Sequence, residues 1–163
     1  MNAHDVIVQM LDTARFVTNA YLADMSDQDL LVPPISGAHT AAWQLGHLIV
    51  SECGMLDALA PGSAPALPEG FAKSHSKEGE FEESSAGFLG KAAYVELAAK
   101  VRLVTRELLA KFSAEQLSLP GPEGMRSYAP TVGSVFLMIG SHEVMHSGQL
   151  AVIRRKLGKP VVI

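Results

Sequence analysis

The sequence predicts an all-α protein built as a four-helix bundle. Four long segments repeat apolar residues at three- and four-residue steps, no segment alternates as a strand does, and Pro- and Gly-rich breaks separate the four. At 163 residues with 48% apolar side chains, the chain is expected to form one domain, 1–163, with a continuous core. Charged residues make up only 18%, which argues against disorder and suggests helix faces buried on more than one side, as in a dimer.

The first helix is expected from about Ala3 to Met25, where Ile7, Met10, Ala14, Val17 and Tyr21 recur on one face. Ser26, Asp27 and Asp29 read as a turn, and Pro33-Pro34 with Gly37 break the chain. The second helix starts near Thr40, a suitable N-cap, and runs to about Ala60, where Pro61-Gly62 stops it. Residues 61–88 form a long Pro-, Gly- and Ser-rich connection, able to travel the length of a bundle. The third helix spans about Gly90 to Phe112 on the stripe Tyr94, Leu97, Val101, Val104 and Leu108. After a loop with Pro120, Gly121, Pro122, Gly124 and Pro130, the fourth runs from about Thr131 to Leu157, with Gly158 as C′ and Pro160 just beyond.

The charge balance is 13 basic against 17 acidic residues, with no basic face of the kind that binds nucleic acid. Arg154, Arg155, Lys156 and Lys159 cluster at the end of the last helix, where cations suit the helix dipole. No apolar stretch is long enough to span a bilayer, and the N-terminus has no signal-peptide pattern. A cytoplasmic protein without nucleic-acid or membrane partners is the expectation. The single cysteine, Cys53, excludes an internal disulfide and a thiolate cage; it reads as a buried, inert thiol.

The histidines carry the chemistry. Ser141-His142-Glu143-Val144-Met145-His146 places two imidazoles at i and i+4, on one helix face about 6 Å apart along the axis. They interrupt an otherwise apolar stripe of Val132, Val135, Ile139 and Ile153, continued by Gln149, and buried imidazoles there must find partners or bind something. The same string matches the zinc-protease motif H-E-x-x-H. However, no acidic residue follows Glu143, and Gln149 and Val152 stand where a metzincin needs Gly and His, so a protease is disfavoured. A third metal ligand must then come from upstream, and His47 is the candidate, on a partly polar stripe with Thr40, Gln44, Ser51 and Met55. A bundle builds metal sites from facing helices, and three imidazoles leave a position open for water or substrate. His4 and His75 read as exposed, His39 as a loop or cap residue, and Trp43 and Phe136 as core. Three roles are open to Glu143: general base, hydrogen-bonding partner of an imidazole, or exposed residue.

Ala42-Trp43-Gln44-Leu45-Gly46-His47-Leu48, the linker string Leu67-Pro68-Glu69-Gly70-Phe71, and His142-x-x-x-His146-Ser147-Gly148-Gln149-Leu150 followed by Arg154-Arg155-Lys156-Leu157-Gly158-Lys159-Pro160 resemble the DinB-like (DinB/YfiT) superfamily of metalloenzymes over nearly the whole chain. The resemblance implies a bundle of up-down-down-up topology with a long crossover between the second and third helices. It also implies one divalent ion, zinc or nickel, on His47, His142 and His146, and often a homodimer. The family implies a metal-dependent enzyme acting on a small molecule: a transferase using bacillithiol, mycothiol or glutathione as a low-molecular-weight thiol cofactor, or a hydrolase. The alternatives are a non-catalytic stress or interaction protein stabilised by its metal, and a metal-free helical dimer.

Overall fold

A computed structural model describes residues 1–76 and 87–162. Lys77 and the rest of 77–86, part of the expected linker, lie outside the described residues. The described chain is almost wholly helical: α1 (Ala3–Leu22), α2 (Ala41–Leu59), α3 (Phe71–Ser74), α4 (Lys91–Leu109), α5 (Ala114–Leu117) and α6 (Val132–Lys156), with single 3-10 turns at Asp29–Leu31 and Glu123–Met125. Only α1, α2, α4 and α6 are long, and they form the bundle. None of the described helices is long and apolar enough to cross a membrane.

The starts of the long helices follow from local chemistry. Asn2 and Asp5 form a reciprocal capping box on α1, Thr40 accepts from the Trp43 N–H at the head of α2, and Thr131 pairs with Ser134 at the head of α6. Gly90 has no capping side chain, and Asp27 supplies the acceptor instead, taking the Lys91 N–H at 2.7 Å. Helix α1 ends at Leu22, three residues before the expected Met25, with no basic residue in its last turn. Its final carbonyls are satisfied from a distance: Lys91 Nζ donates to the carbonyls of Leu22, Ala23 and Met25, and Arg154 to that of Tyr21.

That contact changes the reading of the C-terminal cations. Arg154 is fully buried and pairs with Asp24, while Lys156 and Lys159 donate to the carbonyls of Pro33 and Asp24. They fasten the end of α1 and the following loop to α6. Gly158 closes α6 with a φ of +70°, as the sequence suggests.

The pairing of side chains gives the topology. Met10 lies against Gly140, Thr18 bonds Ser147, and the Tyr21 carbonyl bonds Arg154, so α1 and α6 run parallel. A Cβ on Gly140 would stand 2.8 Å from Met10 Cγ and 3.3 Å from its carbonyl oxygen, so the two backbones approach closely only because residue 140 has no side chain. Glu52 meets Arg102 and Thr105, while His75 links Gly46 to Tyr94, so α2 and α4 are also parallel. Helix α4 runs antiparallel to α1, with Lys91 at Leu22 and Arg102 at the Leu11 carbonyl. Helix α6 runs antiparallel to α2, with His146 at Gln44. The order is up-down-down-up. A parallel α2–α4 pair obliges the connection between them to travel back along the bundle, roughly 28 Å for helices of this length.

The core holds Leu11, Leu30, Leu56, Tyr94, Val101, Phe136 and Ile153, all within 1% exposure. Trp43 is buried as expected. His4 is half-buried rather than solvated, its Nε2 2.8 Å from the Phe112 carbonyl.

Candidate metal centre

His47 projects from α2 and His142 and His146 from α6, and one ring nitrogen from each lies within 4.8 Å of the others. The ring centroids are 5.2 Å apart for His47 and His142, 5.4 Å for His47 and His146, and 4.8 Å for His142 and His146. All three are no more than 9% exposed. The i,i+4 spacing stacks the α6 pair on one face, and the antiparallel approach of α2 brings His47 opposite it.

Neighbours set which nitrogen of each ring faces inward. The His47 Nδ1 is 3.3 Å from the His75 carbonyl, which can only accept, so Nδ1 carries the proton and Nε2 the lone pair. Ser51 Oγ stands 3.3 Å from that Nε2. His146 Nδ1 is 3.3 Å from Gln44 Oε1, and the amide is oriented by its Nε2, which donates to the His39 carbonyl at 3.2 Å. His146 therefore also turns Nε2 inward, 3.2 Å from His142 Nε2. Two imidazole lone pairs hold that distance only with a proton or a cation between them. A tetrahedral ion with bonds of about 2.0–2.1 Å needs nitrogens roughly 3.3 Å apart, so the α6 pair already has the required spacing. Three imidazoles, those of His47 and His146 with their outer N–H groups engaged, form a donor set suited to zinc, nickel and similar divalent ions.

The aromatic rings continue outward. Trp43 stacks on His47 with centroids 4.7 Å apart, and His39 stacks on Trp43 at 3.5 Å. His39 is thus a packing residue at the rim, its imidazole pushed below its ordinary pKa by burial.

His75 overturns its reading as an exposed linker residue. It is fully buried. Its Nδ1 donates to the Phe71 carbonyl at 2.8 Å, its Nε2 accepts from the Tyr94 hydroxyl at 2.8 Å, and its own carbonyl receives His47. Phe71, buried at 2%, anchors this turn in the core. Among the described residues of the linker, His75, directly after α3, is the one that reaches a histidine of the site. Burial pushes the His75 imidazole below its ordinary pKa and the Tyr94 hydroxyl up to about 12, so both remain neutral hydrogen-bonding groups. The sequence signal was Gly46, a glycine inside a helix where a neighbouring group comes close.

Glu143 is buried at 3%, which removes the exposed-residue reading. Both of its oxygens face arginines: Arg102 donates to Oε2 at 2.8 Å, and Arg15 Nε lies 3.3 Å from Oε1 without hydrogen-bond geometry. Arg102 also grips Glu52 with two bonds, at 2.8 and 3.0 Å, and Thr105 donates to Glu52 at 2.6 Å. Burial works against the Arg102 charge, but Glu52 and Glu143 more than offset it and raise its pKa above the ordinary value. This network ties α1, α2, α4 and α6 together behind the histidines. Gln149 is exposed and takes no part in the centre. Cys53 is buried, and burial, then Glu52 and Asp57, push its thiol up to about 12.

With this geometry in place, comparison with known proteins is decisive for the family. The sequence profile of the DinB superfamily matches residues 10–150. The chain belongs to the DinB superfamily. Among solved structures, this DinB-superfamily chain is similar to a conserved protein of Enterococcus faecalis, with a TM-score of 0.71 at 19% identity over 98% of this chain and 99% of that one. It is also similar to YfiT from Bacillus subtilis, with a TM-score of 0.67 at 16% identity over 96% of this chain and 89% of that one. YfiT is described as "a probable metal-dependent hydrolase with an unusual four-helix bundle topology". At these identities the likeness establishes the fold. No curated protein matches the chain.

Proposed function

We propose that the chain is a divalent-metal-dependent enzyme acting on a small molecule, with His47, His142 and His146 as ligands and hydrolysis as its chemistry. The observation that carries this reading is the convergence of three buried imidazoles from two helices, two of them with Nδ1 committed to protein acceptors. No carboxylate or thiol joins the three among the described residues, and catalytic sites, unlike structural ones, keep a position open. A divalent ion held there supplies Lewis acidity and brings the pKa of a bound water or thiol toward neutrality.

The chain's own residues hold and orient the donors. The His75 carbonyl and Gln44 fix the two tautomers, and the Ser51 hydroxyl beside His47 Nε2 is placed to hydrogen-bond an incoming group. Glu143, held by Arg102 and Arg15, serves as a strut of the charge network and not as a general base. The description of YfiT as a metal-dependent hydrolase favours water as the activated group over the thiol of a transferase.

The test is turnover of an ester and amide panel by untagged protein, stripped of metal and then reloaded with zinc or nickel, with and without glutathione or bacillithiol. Activity should require about one equivalent of metal, disappear in His142→Ala, and be independent of thiol. Metal that raises the melting temperature without supporting turnover would instead indicate a structural ion.

A further inference from the structure

A cleft of about 410 Å³ opens beside the histidines, between the second half of α2, the middle of α6 and the loop ahead of α6. Met55, Met125, Met138 and Met145 line it together with Tyr128 and His142, and no Asp, Glu, Lys or Arg does so among the described residues. Four of the chain's seven methionines thus surround one cleft. Thioether side chains are flexible and polarizable, and they pack well against irregular apolar bodies and aromatic rings. Ser51, also in the wall, stands 3.3 Å from His47 Nε2, so the cleft meets the centre at His142 directly and at His47 through Ser51.

Gly54 shapes the α2 side of the cleft. It lies inside α2, where glycine weakens a helix relative to alanine. Gly46, Gly133 and Gly140 are explained by close packing, whereas a Cβ on Gly54, as on the exposed Gly148 of α6, would meet nothing within 4 Å. Gly54 differs from Gly148 in bordering this cleft, which the missing side chain leaves wider on the α2 side. A carboxylate carried on the tail, among the methionines and away from the histidines, would lose water with no Lys or Arg in the wall to pair with it, whereas an acyl chain or ring would gain by burial.

Resting on the metal-centre reading above, we propose that the cleft receives neutral, apolar small molecules. An acyl chain or aromatic ring lies along the methionines and the polar head group lies at the histidines. A molecule whose tail ends in a carboxylate is disfavoured there, because no basic side chain lines the methionine end of the cleft.

The test uses the full chain loaded with cobalt and a series of hydroxamates, read by the visible cobalt spectrum. Acetohydroxamate reports the metal; hexano- and benzohydroxamate report the cleft; succinic monohydroxamate and its methyl ester form a charged and neutral pair. Affinity should rise about fourfold per added methylene, making hexanohydroxamate, with four more methylenes, about 250-fold tighter than acetohydroxamate. The methyl ester should bind at least about tenfold tighter than the free acid. Gly54→Leu, checked for folding by its cobalt spectrum, should abolish the dependence on tail length. If cobalt or acetohydroxamate fails to bind, the metal-centre reading falls and takes this proposal with it. If both bind but affinity is flat along the series, or the charged tail binds best, this proposal alone is overturned.

Discussion

The ring of His75 occupies the space that a side chain at Gly46 would need: a Cβ there would stand 2.0 Å from His75 Cδ2. Through this contact the linker packs against α2 one residue before His47, and the His75 carbonyl reaches His47 Nδ1. Gly46→Ala should therefore destabilise the fold even though alanine is the better helix former by about 1 kcal/mol. Displacing the ring breaks its bonds to Phe71 and Tyr94, and a net loss of about 2–4 kcal/mol in urea unfolding is expected. In a double-mutant cycle with His75→Ala, the pair should couple by roughly 1–3 kcal/mol. A Gly46→Ala protein as stable as the parent would contradict the packing.

Gln44 is predicted to act on the metal without touching it. Gln44→Leu removes the acceptor for His146 Nδ1 and should weaken metal affinity by about 10–100-fold in competition with a chelator. Gln44→Glu keeps an acceptor in place and should lose less. Equal affinities for the parent and the leucine variant would show that the amide does not orient the ring.

The buried charge network gives opposite expectations for its two ends. Arg102→Met leaves Glu52 and Glu143 without their shared cation and should cost about 3–5 kcal/mol in chemical denaturation. Glu143→Gln should leave metal content unchanged and turnover within about tenfold of the parent. A fall of about 10²–10⁴ in turnover with metal retained would mark Glu143 as a general base.

Cys53 tests the electrostatics of the interior. Its folded-state thiol, pushed up to about 12 mainly by burial, is favoured in the neutral form, whereas an unfolded thiol ionises near about 8.5. The resulting stability is complete below the unfolded value and is lost as pH rises from there toward the folded one. Unfolding free energy should therefore decline above about pH 8.5, and this contribution should be absent in Cys53→Ala. At pH 8 a disulfide reagent should label the urea-unfolded chain fully and the folded chain slowly.

Much of this was legible in the sequence because helices report their own faces. The stripe through Val135, Ile139, His142 and His146 is a one-dimensional pattern, and Thr40, Thr131 and Gly158 announce helix ends through local hydrogen bonding. His47 follows from the same pattern, as the imidazole on a second helix that can complete the pair. The missed residues depend on contacts between distant segments. His75 sits in a short turn flanked by lysines and serines, whose composition reads as solvated; its seat against Gly46, Phe71, Phe88 and Tyr94 buries it. Glu52, Arg102 and Arg15 look like surface charges until three helices bring them together, and Lys91 caps a helix 69 residues away. Periodicity locates a face, but it does not name the partner that the face will meet.

The most direct test of the central claim is diffraction from untagged, metal-loaded crystals at the absorption edge of the bound ion. The account predicts one ion per chain, bonded to ring nitrogens of His47, His142 and His146 at about 2.0–2.1 Å, with an open position toward the methionine-lined cleft. A loaded protein with no ion at these histidines, or one that binds it equally well after His47→Ala, would contradict the account.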